Sequence, residues 1–327
     1  MSGLLPLDKL EVQVLVDDVA DPLSSVPAYA ESEVGYLLRK GKLPVLAAGS
    51  MCAAAHGIAC VVTAYRGSER CTMLFDAGPE PYALIRNCDL LETDLGAVDG
   101  IVLSHGHIDH SGGLLAALDA IQERNGHRQV ALYTHPSMFQ SRAFMLPNGT
   151  IVPIEDIPAP KVLAAHGARV VQSMTSQVVL DGMFFVSGEV PRVTPFEQGL
   201  PGHYRRAADG KNWEPDPLIM DEHFLAANVA GKGLIVFSGC AHAGAINILR
   251  CARAALPQTP TYGLIGGLHL VGPNEAIIQQ TVAALREFRL QVIAAGHCTG
   301  WRAMSALVSA FGDEVVTPCA VGKRYVF

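Results

Sequence analysis

The stretch Ile101-Val-Leu-Ser-His105-Gly-His107-Ile-Asp109-His110-Ser-Gly-Gly113 constrains this chain more than any other part of it. A short apolar run ends at Leu103, and His105, His107, Asp109 and His110 follow at once. Alternate residues of an extended chain share a face, so strand-like backbone through His105 and His107 points both rings the same way. Asp109 and His110 then fall in a turn leading into a glycine-started helix. Any fold that accepts this stretch must hold it at the end of a buried strand. The donors are neutral imidazoles and a carboxylate, a set that suits zinc, iron or manganese and can hold one ion or two.

The flanking sequence alternates short β-rich runs with longer helical ones. Strands are expected at 11–16, 58–64, 71–76, 100–103, 130–133, 168–171, 178–186, 223–229, 233–237, 262–265, 291–294 and 314–316. Helices are expected at 113–124, 243–256, 275–288 and 301–311. In 275–288, Ile277, Ile278, Thr281, Leu285 and Phe288 recur at helical spacing, with Gln279, Gln280, Arg286 and Glu287 between them. Pro273-Asn274 supplies the start signal. Strands interleaved with helices predict α/β layers, with sheets covered by helices. Half of the 327 residues are apolar, which excludes a disordered chain and allows a large core. No linker or internal repeat divides the sequence, so one domain is expected over 1–327. Segments 17–57 and 187–222 fit neither pattern. The second, rich in Pro, Gly and charge, reads as an irregular active-site lid.

Charge and cysteine usage bound the partners. Lys plus Arg number 24 against 31 Asp plus Glu, a net charge of −7. That balance lacks the broad basic field of a nucleic-acid binder and favours a small-molecule substrate. The apolar run 58–65 is far shorter than the ~20 residues a bilayer requires, so no membrane partner is expected. The first residues lack the basic n-region of a secretory signal. Eight cysteines without a CxxC pair argue against a disulfide framework or a zinc ribbon. Buried thiols and a cytoplasmic location follow as expectations.

Several of the twelve histidines also stand after strands. Cys240 and His242 follow the run 233–237, His269 follows 262–265, and His297 follows 291–294. Layered α/β folds gather their sites where strand ends meet loops. These residues and the 105–110 cluster are therefore expected to converge on one site.

The loop resembles the His-x-His-x-Asp-His signature of the metallo-β-lactamase superfamily. The likeness continues through Ala55-His56-Gly57-Ile58, Leu74-Phe75-Asp76-Ala77-Gly78 and Ser187-Gly188-Glu189-Val190-Pro191-Arg192. It extends to Phe237-Ser238-Gly239-Cys240-Ala241-His242-Ala243-Gly244, Gly266-Gly267-Leu268-His269-Leu270 and Gly296-His297-Cys298-Thr299-Gly300. Together these segments resemble the dihydropterin–ribofuranosylaminobenzene 5'-phosphate synthase-like branch. The resemblance implies an α/β fold of the αββα sandwich type, two central mixed β-sheets flanked by helices. It implies one or two divalent metal ions, zinc first, with manganese or iron as alternatives. His105 and His107 would belong to one metal, and Asp109, His110 and His297 to the other. His242 would be a remaining ligand, with Asp76 supporting the ligand rings. Asp109 would also orient a nucleophile or receive its proton. His269 would ligate, bind substrate or donate a proton.

The sequence departs from the superfamily pattern in two places. The usual Pro-Gly-His-Thr loop is missing: the run 178–186 ends in Ser187-Gly188-Glu189, without histidine. Cys240 stands where a bridging aspartate is usual, and either ligates as a thiolate or packs as a strand-end thiol. Glu189 and His203 are the other candidates for the missing ligand, His203 lying on what reads as an irregular polar segment. Arg192, with Tyr204, Arg205 and Arg206 close in sequence, is expected at the mouth, either receiving a phosphate or remaining a surface cation. Trp213 and Phe196 either stack on a planar ring or pack within the lid. His135 either lines the pocket or lies at the surface, His127 and His166 are solvated, and His223 packs.

These residues point to a metal-dependent hydrolase, using metal-activated water on a small anionic ester or phosphoester. A synthase-like transferase coupling an aminobenzene nitrogen to an activated pterin, with release of pyrophosphate, needs the same metals. A non-catalytic metal- or ligand-binding protein is the third reading. The sequence leaves the oligomeric state open.

Overall fold

The computed structural model describes residues 3–45 and 47–327. Its centre is a pair of eight-stranded mixed sheets. The first runs Ala168–Gln172, Val130–Thr134, Gly100–Val102, Glu69–Phe75, Ala59–Arg66, Lys9–Val16, Arg324–Val326, Ala30–Glu31. The second runs Gln177–Val179, Phe184–Val186, Leu225–Val229, Gly233–Ser238, Thr261–Gly266, Val292–Ala295, Val316–Pro318, with Pro6–Leu7 also paired to Leu225–Val229.

Side-chain alternation explains the layers. In Lys9–Val16, Leu10, Val12 and Val14 enter the core between the sheets. A register shift between Val14 and Val16 follows, and Leu15 and Val16 join the opposite face. Phe75 and Phe237 meet across the two sheets with ring centroids 6.0 Å apart, and burying each contributes about 1.5–3 kcal/mol. On the outer face of the first sheet lie Pro81–Leu91 and Leu114–Arg124, through Leu84, Leu91, Leu118 and Ile121. Ala245–Ala255, Ile278–Leu285 and Trp301–Phe311 cover the second sheet through Ile246, Leu249, Val282 and Leu307. Strands buried on both faces read as continuous apolar runs, as Gly233–Ser238 does. The αββα sandwich is the observed architecture.

Several local expectations need correction. The run 178–186 is a hairpin rather than one strand. Leu180, Asp181 and Gly182 take φ of 48°, 54° and 85°, and three left-handed residues in succession cannot continue a strand. The expected helix 275–288 is α-helical only over Ile278–Leu285, with 3₁₀ turns Gly272–Ile277 and Arg286–Phe288 at its ends. Segment 187–222 is not wholly irregular. His203–Arg206 and Trp213–Pro215 pair with each other and join Arg142–Met145 and Ile151–Pro153 in a third, four-stranded sheet. These strands are only three or four residues long, so their pairing partners define them more than their composition does. The helix Pro81–Leu91, which the apolar pattern does not announce, starts at Glu80, whose carboxylate accepts the N–H groups of Tyr82 and Ala83. Among the described residues no helix is long and apolar enough to cross a membrane.

Parallel pairing positions the site. Gly233–Ser238, Thr261–Gly266 and Val292–Ala295 run side by side in one direction. Their C-terminal ends therefore deliver Cys240 with His242, His269, and His297 to one edge. Gly100–Val102 ends opposite them and delivers the 105–110 loop.

Candidate metal centre

The loops from the two sheets interlock tightly. A Cβ at Gly239 would lie 2.1 Å from Ser104 Oγ, so no larger residue fits where the loop after Gly233–Ser238 crosses the 103–107 segment.

His105, His107 and His242 form the first donor set, with one ligand atom from each lying within 4.8 Å of the others. His105 Nε2 and His107 Nδ1 are 3.0 Å apart. Ser104 decides the tautomer of His105. Its hydroxyl donates to Asp76 Oδ2 at 2.7 Å, so its oxygen accepts from His105 Nδ1 at 3.0 Å. The lone pair of His105 is therefore on Nε2. His242 is buried, and neither of its ring nitrogens has a hydrogen-bond partner. Burial holds the pKa values of His105, His107 and His242 well below the ordinary imidazole value, so these rings stay neutral. Buried lone pairs facing one another without donors are what a cation would satisfy. The set fits a metal ion on these grounds.

Asp109, His110, Cys240 and His297 form the second set, again within 4.8 Å. His110 Nδ1 donates to Asp76 Oδ2 at 2.6 Å, while its Nε2 lies 3.2 Å from Cys240 Sγ and 3.4 Å from Asp109 Oδ2. His297 Nε2 is 3.3 Å from Cys240 Sγ and 3.6 Å from Asp109 Oδ2. Burial opposes charge on His110, but the carboxylates of Asp109 and Asp76 outweigh it and raise its pKa. Burial likewise opposes the charge on Asp109, and the neighbouring His110 holds its carboxyl far below the usual carboxylate range. Burial pushes the Cys240 thiol up, and Cys298 Sγ lies 3.3 Å away. Cys240 would ionise there with a cation to compensate it. The same sulfur groups with His242 and His269, so Cys240 stands between the two sets.

Buried carboxylates staple each loop in place. Asp76 accepts the main-chain N–H of Ser104 at 2.6 Å. Asp221 accepts the N–H of Gly106 at 3.0 Å, between the two ligand-type histidines. Glu222 accepts the N–H groups of His242 and Ala243 at 2.9 and 2.5 Å. Asp17 accepts the N–H of His297 at 3.1 Å, and burial raises its pKa to about 7. Asp76 was expected in such a role. Asp17, Asp221 and Glu222 were not, although Asp17 directly follows the apolar run Leu15-Val16 as Asp76 follows Leu74-Phe75.

A cavity of about 270 Å³ opens beside these residues. Asp109, His107, Cys240, His242 and His269 line it together with apolar residues that include Phe144 and Leu200. His269 adopts φ 41°, its Nδ1 is buried without a partner, and its ring lies 4.4 Å from that of His242. His203 also comes to the site. It opens a strand rather than lying in irregular chain, is buried, and sits with Nε2 3.1 Å from His107 Nε2. Burial lowers its pKa to about 4.

Other candidates lie elsewhere. Arg192 does not face the cavity: its guanidinium turns onto the carbonyls of Val190, Leu218 and Ile219. Tyr204 directs its hydroxyl to Met145 Sδ at 3.5 Å. Trp213 stacks under Arg206, 3.6 Å from guanidinium carbon to ring centroid. Both belong to the third sheet, so strand pairing there, rather than an open lid, occupies them. Glu189 Oε1 is 3.3 Å from His135 Nε2, away from both donor sets.

Residues 57–181 match the sequence model of the metallo-β-lactamase superfamily. The chain is 24% identical over 262 residues to the 7,8-dihydropterin-6-methyl-4-(beta-D-ribofuranosyl)-aminobenzene-5'-phosphate synthase of Methanocaldococcus jannaschii, covering 79% of this chain and 86% of that one. An uncharacterized protein of the same organism is 27% identical over 235 residues, covering 72% and 82%. A crystal structure described as a metal-dependent hydrolase of the beta-lactamase superfamily superposes with a TM-score of 0.69 at 19% identity, covering 96% and 98%. That last likeness concerns the fold. With the signature loop, the αββα layers and these matches together, the chain resembles the metallo-β-lactamase superfamily, whose sequence model its residues 57–181 match, and within it the dihydropterin–ribofuranosylaminobenzene phosphate synthase-like branch.

Proposed function

We propose that this protein is a metal-dependent hydrolase acting on a small, anionic ester or phosphoester. The observation that carries the reading is His242: two unpartnered ring nitrogens, buried against His105 and His107, on the wall of a cavity of substrate size. His105, His107 and His242 would hold one divalent ion, and Asp109, His110, His297 and Cys240 a second. Zinc is the first candidate for this nitrogen-rich set, with manganese or iron next. Such an ion supplies Lewis acidity, acidifying water and polarising an ester or phosphoryl oxygen.

The chain's own residues divide the remaining work. Asp109, kept ionised by His110, is suited to accept a hydrogen bond and orient the attacking water. His269, which lines the cavity beside His242, is placed to donate a proton to the leaving group. Among the described residues, no Lys or Arg lines the cavity. Complementary charge for an anion would then come from the bound ions rather than from Arg192, Tyr204 or Trp213. The donors arise from both sheets, so we treat 1–327 as one functional domain. A cytoplasmic setting suits the scattered free cysteines.

A second reading is favoured by the likeness to the archaeal synthase: a transferase joining an arylamine to a pterin diphosphate and releasing pyrophosphate. One assay set separates the two. Protein loaded with zinc, manganese or iron is offered phosphomonoesters, phosphodiesters and carboxylic esters, and separately a pterin diphosphate with and without the arylamine. Metal-dependent release of phosphate or acid, lost in His242→Ala and on chelation, is expected. Pyrophosphate release that requires the arylamine would establish the transferase instead. Turnover unchanged by chelation would overturn both.

A further inference from the structure

We propose that His203 is a positioning residue that sets the tautomer and ring orientation of His107; the proposal rests on the reading of His107 as a metal ligand. His203 belongs to the third sheet, outside the αββα sandwich, yet its side chain is fully buried against the donor set. Its Nδ1 lies 2.8 Å from the main-chain carbonyl of Asp216. A carbonyl only accepts, so His203 Nδ1 carries the hydrogen and the neutral ring keeps its lone pair on Nε2.

That lone pair lies 3.1 Å from His107 Nε2. Two nitrogens approach this closely with attraction only when one carries the hydrogen, so His107 Nε2 is the donor. The lone pair of His107 is then on Nδ1. This atom sits 3.0 Å from His105 Nε2, whose own lone pair Ser104 has already oriented, and two lone pairs that close are held together by a cation between them, as the reading of both rings as ligands requires. The relay runs from His107 to His203 to the Asp216 carbonyl, and it aims His107 Nδ1 inward.

The surroundings suit that role. The ring of Phe144 lies 5.8 Å from that of His107 and 5.6 Å from that of His203, so an apolar side chain flanks both. The Asp216 carboxylate, 3.7 Å from His203 Nδ1, is on the donor side of the ring and leaves Nε2 free to accept. His203 is thus placed to do for His107 what Ser104 does for His105.

The test uses the full chain and zinc as the probe. Chelator competition gives the zinc affinity of the wild type, His203→Phe, His203→Gln and His107→Ala. Phe keeps the ring shape without an acceptor, whereas Gln restores an acceptor oxygen near the Nε2 position. His203→Phe is expected to weaken zinc binding by roughly 10–100-fold, with His203→Gln recovering most of the loss. Long-range ¹H–¹⁵N spectra of the zinc-loaded wild type are expected to report His107 with its hydrogen on Nε2. A hydrogen on Nδ1 of His107 overturns the proposal, whether or not the Phe variant folds. So does wild-type zinc affinity in a folded His203→Phe protein while His107→Ala binds weakly. Unchanged affinity in His107→Ala overturns instead the assignment of His107 as a ligand, and with it the functional reading.

Discussion

Asp76 joins both donor sets. Its carboxylate accepts from the Ser104 hydroxyl, which orients His105, and directly from His110 Nδ1. Asp76→Asn keeps the shape but puts amide hydrogens where acceptors are required, and is expected to cost roughly 10–100-fold in metal affinity. Metal content after dialysis against dilute chelator reads that loss; full retention would deny Asp76 the role. His223 makes a different prediction. It is buried, its Nε2 donates to the Leu103 carbonyl at 2.6 Å, and burial lowers its pKa to about 4 from 6.5. The unfolded state therefore binds more protons between those values, so stability is present above pH ~6.5 and is lost as pH falls toward 4. A tenfold difference in proton affinity between the two states corresponds to about 1.4 kcal/mol. His223→Gln, which keeps an N–H, is expected to flatten the acid limb of urea unfolding curves. An unaltered limb would show that other groups govern it. Asp17 acts in the opposite sense. Its raised pKa, about 7, means stability is lost as pH rises from the ordinary carboxylate range through neutrality. The histidines of the site were legible because three His and an Asp within one loop have few structural explanations. The carboxylates Asp17, Asp221 and Glu222 were not, since a lone acid after an apolar run looks the same whether it caps a loop or faces water.

At the level of elements, strand ends carry the site, and glycine lets the loops meet. Gly239→Ala would drive a methyl group into Ser104 Oγ, whose hydroxyl is already committed to Asp76. Overpacking of this kind costs about 1–3 kcal/mol, and here it should also displace His105. We expect a lower melting temperature together with reduced metal content; a normal metal content at full stability would contradict the interlocked geometry. Long apolar strands such as Gly233–Ser238 and Glu69–Phe75 were readable to within a few residues. The third sheet was not, because His203–Arg206 and Arg142–Met145 become strands through pairing across some sixty residues of sequence. The hairpin inside 178–186 is a different case. Asp181-Gly182 is a turn-forming pair legible in the sequence, and Leu180, Asp181 and Gly182 all adopt positive φ there, so the apolar run on either side masks a break that local chemistry does mark.

For the whole molecule, the two donor sets link the sheets. His105, His107, Asp109 and His110 follow a strand of the first sheet, whereas Cys240, His242 and His297 follow strands of the second. An ion bound by either set would stabilise the folded sandwich relative to the unfolded chain. Zinc at a hundred times its dissociation constant is expected to add about 2.7 kcal/mol. Thermal melts with zinc and with excess chelator should separate accordingly, and superimposable curves would argue against ligands shared between the sheets. The sequence by itself determined the layered α/β class, the signature loop and the histidines standing after apolar strands, because hydrophobic periodicity and short motifs are local properties. Only the tertiary structure decided which side chains meet. It turned Arg192 onto carbonyls, brought His203 from the third sheet to His107, and set Cys240 between the two donor sets. Those outcomes depend on pairing and burial between residues far apart in the chain, where local pattern carries no information.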